Sequence, residues 1–310
     1  MAVYEVFTHA ELRRYRASVC SKATLFMFAV LVLTFIPPLF VVYRSYGFWQ
    51  KEAYYREFPA VTFKRDLLLV VELQDSGEYV TYSTYQKYNL LQQERLRVPV
   101  IKTREEDTNG DGRADRMVLN IEMPLNDVEN VVGVKLLLFY YYRLQKFSSF
   151  YMESLGYIEH FSPNPGAELE VFGTLRFRQK QPLNHRGIDT RYNGSLINQT
   201  STFAETYELS TIFRTYSQRN ATTMLEDQYK IWKSGRGTGK PFLISATIDY
   251  PEDVYLYTPG FWYLIKWGWI QYVAVLFIFI FIFERVKVFI FQNQFVTTHV
   301  DRAFKEKKLL

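Results

Sequence analysis

Cysteine is almost absent from this sequence of 310 residues, because Cys20 is the only one. The long segment that follows it therefore has no intrachain disulfide to stabilise it, which is unusual for a domain outside the cell. A segment of this length can bury a core large enough to fold without such cross-links. Cys20 itself stands beside the first apolar run, so it is a candidate for palmitoylation, with an unmodified small apolar residue as the alternative interpretation.

Residue patterns that support catalysis are also missing. Neither a GxSxG nor an HExxH motif occurs, and the string GRGTGK lacks the first glycine of a phosphate-binding loop because Ser234 occupies that place. The histidines have no metal-ligand spacing. They are His9, His160, His185 and His299. We therefore predict that the protein is not an enzyme and has no small-molecule substrate.

Two long apolar runs are present. Residues 23–43 include 21 residues without a charge, and residues 261–283 contain Lys266 as their only charge. At about 1.5 Å per residue the first run makes about 31 Å of helix, the thickness of a bilayer core. We predict a membrane-spanning helix at each run. A cleaved signal peptide is the competing interpretation of the first run, but the run is too long and no small-residue cleavage site follows it.

Two spans place both chain termini on one side of the membrane. Lys and Arg are more frequent in the N-terminal segment, residues 1–22, and in the tail, residues 284–310, which predicts that both are cytoplasmic. Residues 44–260 then form an extracellular or lumenal domain, whose N-glycosylation sequons support this orientation. The sequons begin at Asn193, Asn198 and Asn220. The net charge of +5 thus reflects the cytoplasmic segments and does not indicate nucleic-acid binding.

The domain between the spans is rich in short apolar or alternating runs, which are typical of strands. We predict an antiparallel β-sandwich with one or two helical insertions, so the fold class is a two-span helical membrane protein with a large β-rich domain. Residues 201–220 have helical spacing, and FYYYRL is predicted to be strand core rather than a recognition surface. The strand candidates are VTFKRDLLLVVEL, EYVTYSTY, RVPVIKT, MVLNIEMPL, VKLLLFYYYRL, ELEVFGTLRFRQKQ and KPFLISATIDY. The turn candidates are QDSGE, TNGDG and SPNPGA.

One acidic loop, DTNGDGRAD at residues 107–115, has the spacing of a calcium-binding loop. Oxygen-bearing side chains occupy its first, third, fifth and ninth places, and Gly112 occupies the sixth, as in an EF-hand. Val118 stands at the twelfth place, where an EF-hand has a bidentate Glu. A hairpin turn is the alternative interpretation, because Asn-Gly and Asp-Gly are strong turn dipeptides. The calcium ligands would be Asp107, Asn109, Asp111 and Asp115, and no other cofactor is predicted.

Several long strings extend the interpretation beyond physical patterns. They are YEVFTHAELRRYRASVCSKATLF, FIPPLF, YRSYGFW, ERLRVPV, TREEDTNGDGRAD, RQKQPL, RYNGSLIN and FERVKVFIFQNQFVTT. On these strings the sequence closely resembles the transmembrane protein 231 family over nearly the whole chain. The resemblance implies a scaffold component of the tectonic-like (Meckel-syndrome) complex at the ciliary transition zone, reached through the secretory pathway. There it would contribute to the diffusion barrier between ciliary and plasma membranes, to ciliogenesis and to Hedgehog signalling, with tectonics, B9-domain proteins and other transition-zone membrane proteins as partners.

Other functions stay open from the residues alone. A two-span ligand-gated channel subunit would share the topology, although such exodomains are usually rich in disulfides and the second run has no acidic residue to line a cation pore. A receptor that binds a ligand through its exodomain is a further alternative. The string KKLL at residues 307–310 is either a dilysine retrieval signal or a solvated basic end.

Overall fold

The computed structural model describes residues 13–45, 49–75 and 77–302. They divide into two compact units, a helical unit formed by the terminal parts of the chain and a β domain formed by Lys51–Pro259. The α-helices of the described residues are α1 Lys22–Arg44, α2 Gln86–Leu91, α3 Leu209–Ser217 and α4 Phe261–Gln292. The strands of the same residues are β1 Arg13–Arg16, β2 Ala53–Glu57, β3 Ala60–Leu73, β4 Tyr79–Ser83, β5 Val100–Glu106, β6 Arg116–Met123, β7 Val131–Leu144, β8 Ser149–Gln179, β9 Leu183–Asn184, β10 Ile188–Tyr192, β11 Ala221–Ser234, β12 Phe242–Asp249, β13 Asp253–Thr258 and β14 His299–Arg302.

Helix α1 coincides with the first predicted span. It begins after Ser21, whose side-chain oxygen accepts a hydrogen bond from the Thr24 amide at 3.3 Å and so caps the helix. Among the described residues, α1 is the one helix that is long and apolar enough to cross a membrane. The second predicted span, residues 261–283, lies inside α4, and its passage through a membrane stays a prediction.

The helical unit also contains a short ribbon made by both ends of the chain. Strands β1 and β14 pair antiparallel, with Tyr15 opposite Val300. The Tyr15 ring lies 5.5 Å from that of Phe291 in α4, and Phe291 lies 5.9 Å from Phe26 in α1. We call β1 and β14 the terminal ribbon. The sequence did not predict it, because four-residue strands so far apart in the chain carry no local signal.

The β domain is built on one nine-stranded sheet, which confirms the β-rich prediction. The main path runs β4-β3-β7-β8-β12-β6-β5, and both β10 and β11 also pair with β8. A second sheet has the order β2-β13-β9. The predicted purely antiparallel arrangement is wrong, because β8 pairs in parallel with β10 and β12, and β13 in parallel with β9. Parallel neighbours need a long crossover, and the chain after β8 is long enough to supply one before β12 begins.

Strand β8 connects the two halves of this sheet. Its first half pairs with β7, and its second half pairs with β11 on one side and β12 on the other. The predicted turn SPNPGA is wrong, because β8 passes through it. The β7 register skips the residues between Phe161 and Gly166, so the two prolines there, which have no N–H to donate, lie in an irregularity of the ladder. A Cβ at Gly166 would lie 2.2 Å from the Trp232 ring, which explains the glycine.

Two apolar clusters lie on opposite faces of the central strands. Along β7, Leu136 and Leu138 belong to the larger cluster, which the strands of both halves of the sheet share. The intervening Leu137 and Phe139 belong to the smaller cluster, which α2 and α3 cover. Strand β7 is thus buried on both faces, as expected for a nearly continuous apolar run. Helix α3, Leu209–Ser217, confirms a helix within residues 201–220, although it is shorter than predicted.

The tyrosine-rich run lies in β7 and is mostly core, as predicted. Tyr140 and Tyr142 are fully buried, whereas Tyr141 points outward. The Tyr142 hydroxyl lies 2.6 Å from the Tyr255 hydroxyl, which brings the three-stranded sheet against the main sheet. Several strands were not predicted at all, namely the first half of β8 and strands β1, β2, β9, β10, β11, β13 and β14.

Candidate functional site

The acidic loop connects β5 to β6, and its polar side chains are turned toward its own backbone. The carboxylate of Asp107 accepts hydrogen bonds from the amides of Gly110 and Gly112 at 2.7 and 2.8 Å. At the other end, Asp115 accepts from the Thr108 amide at 2.9 Å. Both glycines have positive φ, near +73° and +82°, a conformation that side chains disfavour. The residues at the predicted ligand positions are therefore brought together in one tight turn.

These hydrogen bonds explain the loop conformation and leave calcium a prediction. Each carboxylate has about four lone-pair sites, so oxygens that accept from amides keep the capacity to bind a cation. Asp111 is the least engaged of the predicted ligands, since its carboxylate accepts one bond, from the Arg113 amide at 2.8 Å. Within the described ranges, however, no group of three or more His, Cys, Asp or Glu side chains is placed to hold a metal ion. The turn interpretation accounts for the geometry by itself.

The three sequons differ in how available their amide nitrogens are. Asn193 and Asn198 are exposed, and the Asn198 oxygen accepts a hydrogen bond from the Thr200 hydroxyl at 2.7 Å. Asn220 is half-buried, and its amide nitrogen donates to the Gln181 side chain at 3.0 Å. A glycan attaches to that nitrogen, so the surroundings favour Asn193 and Asn198 over Asn220. Glycosylation of the three remains a prediction.

Cys20 and the C-terminal tail are the remaining predicted sites. Cys20 is exposed and immediately precedes Ser21, the cap of α1, so it lies at the end of the helix that fits a membrane. That position suits lipidation, which stays a prediction. The KKLL string lies outside the described residues.

A buried ionic cluster in the β domain was not predicted. The Lys64 ammonium lies 2.9 Å from carboxylate oxygens of both Asp66 and Glu153. Glu153 is almost fully buried and also accepts the Leu196 amide at 2.9 Å. Burial works to lower the pKa of Lys64, but its hydrogen bonds to Asp66 and Glu153 outweigh burial, so the pKa is raised. The cluster holds β3, β8 and the chain after β10 together, and nothing in the sequence links partners 89 positions apart.

An exposed apolar patch lies on the outer face of β8 and β11. Phe172 and Tyr229 are directly opposite each other across the two strands, and both are exposed. Ile231 lies two positions further along β11, on the same face, and is exposed as well. We call these three residues the outer patch. Aromatic residues grouped on a surface are typical of protein interfaces.

A cavity of about 730 Å³ lies between α3 and the strands β8 and β11. Phe213 and Tyr216 of α3 form one wall, and Leu155 and Leu225 form the other. The Tyr216 hydroxyl is occupied, because it accepts the Thr223 amide at 2.6 Å. Polar side chains, among them Arg178, Lys180 and Gln228, also line the cavity, but most of its exposed wall is apolar.

Comparison with known proteins gives one consistent result. The profile of the transmembrane protein 231 family matches residues 1–300. Transmembrane protein 231 of Xenopus tropicalis is 49% identical over 96% of this chain and 96% of its own length. The chicken protein of the same name is 49% identical over 97% of this chain and 95% of its own, and the human protein 48% identical over 96% and 95%. No solved structure matches the chain.

Proposed function

Because the chain belongs to the transmembrane protein 231 family, we propose that it is a non-enzymatic membrane scaffold of the tectonic-like complex at the ciliary transition zone. In this role it contributes to the diffusion barrier between ciliary and plasma membranes, and thereby to ciliogenesis and Hedgehog signalling. Family membership over nearly the full length of the relatives is the observation that carries the proposal. Tectonics, B9-domain proteins and other transition-zone membrane proteins are its proposed partners.

The proposed topology has two spans, α1 and α4, with both termini in the cytoplasm. Helix α4 has 32 residues and so measures about 48 Å, more than a bilayer core of about 30 Å requires. Pairing of β1 with β14 supports this topology, because segments that form one ribbon must lie on the same side of the membrane. The β domain is then extracellular or lumenal, where its sequons can be glycosylated.

Glycosylation tests the topology directly. Glycosidase treatment of the full chain from ciliated cells should increase its gel mobility, and replacing Asn193, Asn198 and Asn220 together with Gln should abolish that change. From the surroundings of the three residues, we expect Asn220→Gln alone to have the smallest effect. An epitope inserted next to Asn193 that stains from the cytoplasm would overturn the two-span arrangement.

The outer patch is the surface that best fits contact with the exodomain of another membrane component. It combines two aromatic side chains and one branched aliphatic side chain on paired strands, whose backbone is already ordered before a partner binds. Glu170 lies opposite Ile231 and pairs with Lys233 at 2.5 Å, giving the patch a polar rim. Apolar centres with polar rims are the usual anatomy of protein interfaces.

Purification of the crosslinked full chain from ciliated cells tests the scaffold function. We expect tectonic-like and B9-domain partners among the recovered proteins, and fewer of them with the Tyr229→Ser, Ile231→Ser variant. A matched control replaces two exposed apolar residues outside the patch, Val98→Ser and Phe203→Ser, and should leave recovery unchanged. Failure to recover these partners with the wild-type chain, or isolation of homotrimers that conduct current, would contradict the proposal.

A further inference from the structure

A surface rich in cations is formed by strand β1, the start of α1 and the last two turns of α4. We define this basic collar as Arg14, Arg16, Lys22, Arg285 and Lys287. Two carboxylates of the described residues pair with it, Asp301 with Arg16 at 3.0 Å and Glu284 with Lys287. Among the described residues, these five cations against two carboxylates leave an excess of positive charge.

Aromatic contacts determine where the terminal ribbon lies along the axis of α1. The terminal ribbon rests on Phe291 through Tyr15, and Phe291 also contacts Phe26. Helix α1 begins at Lys22, so Phe26 lies about 6 Å along it. The ribbon therefore lies within about one turn of the end of the helix that fits a membrane. In a membrane that α1 spans, this end of the helix would lie near the lipid headgroups.

The ribbon presents Arg14 and Arg16 away from the aromatic contact. Side chains alternate between the two faces of a strand, so Arg14 and Arg16 lie on the face opposite to Tyr15, and both are exposed. Lys22 at the start of α1 is exposed too. The rings of Phe289 and Phe295, 5.7 Å apart and both exposed, follow Arg285 along the chain. Exposed cations beside exposed aromatic rings are typical of segments that lie at a membrane interface.

We propose that the basic collar binds the headgroups of anionic phospholipids in the leaflet that surrounds this end of α1. Clustered Lys and Arg next to a membrane helix attract anionic lipids, and zwitterionic lipids with no net charge do not offer the same attraction. The inference goes beyond the scaffold function and requires only that α1 crosses a membrane. It would hold β1 and the adjoining parts of α1 and α4 at one leaflet, because the collar takes residues from all three.

Lipid retention by the full chain tests the proposal. The protein is reconstituted with equal amounts of phosphatidylserine and phosphatidylcholine, purified again, and its retained lipids are counted by native mass spectrometry. We expect wild type to retain several times more phosphatidylserine than phosphatidylcholine, and added salt to reduce the ratio. The Arg14→Glu, Lys22→Glu variant should lose most of this preference. A Glu at position 22 is compatible with the helix, because acidic residues are favourable in a first turn.

Three further variants make the result specific. Arg14→Lys keeps the charge and should keep the preference. Lys51→Glu with Arg56→Glu makes the same number of charge reversals in the β domain and should also keep it. If the double collar variant fails to fold by circular dichroism, the neutral Arg14→Gln variant should still lower the preference.

Three results would overturn the proposal. The first is equal retention of the two lipids by wild type, and the second is an equal loss in the β-domain control. The third is a collar variant that keeps its lipid preference but loses a co-purifying protein, since the collar would then be a protein-docking surface.

Discussion

The helical unit and the β domain use the same apolar residue types in opposite ways. In the β domain, Leu69, Leu136 and Phe139 are completely buried. In α1, Phe28 and Phe40 are 68% and 66% exposed. A protein in water buries such side chains in its own core, so the exposed rings of α1 need cover from another apolar phase. Exposure rather than composition therefore separates the unit that requires lipid from the unit that supplies its own interior.

The largest expected effect on the free energy of unfolding comes from comparing a Phe→Ala substitution in the β domain with one in the helical unit. Phe139→Ala removes a fully buried ring and should lower the free energy of unfolding of the β domain by about 3 to 5 kcal/mol. Phe28→Ala removes an exposed ring from α1 and should change that free energy by less than about 0.5 kcal/mol. Denaturant unfolding of the full chain in detergent, followed by circular dichroism of the strands, measures both. Equal losses in the free energy of unfolding would contradict the contrast between an exposed ring in α1 and a buried ring in the β domain.

Charge burial gives the second contrast, because α1 has no charged residue between its ends, whereas the β domain encloses Lys64 with Glu153. Lys64→Met leaves the Glu153 carboxylate buried without its cation and should cost about 3 to 5 kcal/mol in the same unfolding experiment. Adding Glu153→Gln removes the buried charge while an oxygen remains to accept the Leu196 amide. We expect the double variant to recover part of the loss. A double variant less stable than Lys64→Met would contradict this reason.

Alkaline pH should weaken the β domain through its buried phenols. Burial raises the pKa of Tyr140 well above its usual 10, and the nearby Glu105 carboxylate raises it further. Below pH 10 both folded and unfolded chains hold this proton, and the stabilisation is complete. As the pH rises from 10 toward the folded-state pKa, only the unfolded chain releases the proton, so stability falls by about 1.4 kcal/mol per pH unit for this group.

Tyr140→Phe isolates this contribution. The Tyr140 hydroxyl has no hydrogen-bond partner among the described residues, so the variant should be as stable as wild type at pH 7. Above pH 10 the free energy of unfolding of the variant should fall less steeply than that of wild type, by about 1.4 kcal/mol per pH unit. Denaturation midpoints at pH 7, 10 and 11 provide the comparison, and parallel curves for the two proteins would refute the assignment.

Calcium should have the smallest effect. Loops of this kind outside the cell often have Kd values of about 10⁻⁴ to 10⁻³ M, so millimolar calcium would stabilise the β domain by about 0.4 to 1.4 kcal/mol. The missing glutamate at Val118 favours the weak end of that range. We expect a small rise in melting temperature for wild type and none for Asp111→Ala, which keeps the Asn109-Gly110 turn. Identical responses would leave residues 107–115 as a turn only.

Local patterns predicted local structure well in this chain. The run at 23–43, the apolar stretch that became β7 and the helical spacing around Ile212 each gave an element of the right type. Non-local features were missed because their partners lie far apart in the sequence, as with Lys64 and Glu153 or the two strands of the terminal ribbon. The SPNPGA string misled for a different reason. Prolines usually end a strand, but here the ladder skips their positions and β8 continues.

For the candidate sites, too, the sequence predicted the local features and missed the non-local ones. The acidic string at 107–115 predicted a tight loop between strands, and the hydrogen bonds of Asp107 and Asp115 now account for its shape. The outer patch was out of reach, because Phe172 and Tyr229 become neighbours only when β11 pairs with β8. A sequence pattern specifies which face a residue takes along its own strand. It does not specify which strand comes to lie beside it.

The length of β8 has a consequence for biosynthesis. Its first half pairs with β7, which has already been made, but its second half must wait for β11, which begins about forty residues later, and for β12 after that. At about 5 to 20 residues per second, ribosomes leave this half without its partners for several seconds. Asn193 and Asn198 are synthesised within that interval. In the proposed topology, a glycosylating enzyme would therefore meet both asparagines before the second half of the sheet has closed. The same delay leaves an unpaired strand edge for chaperones to protect.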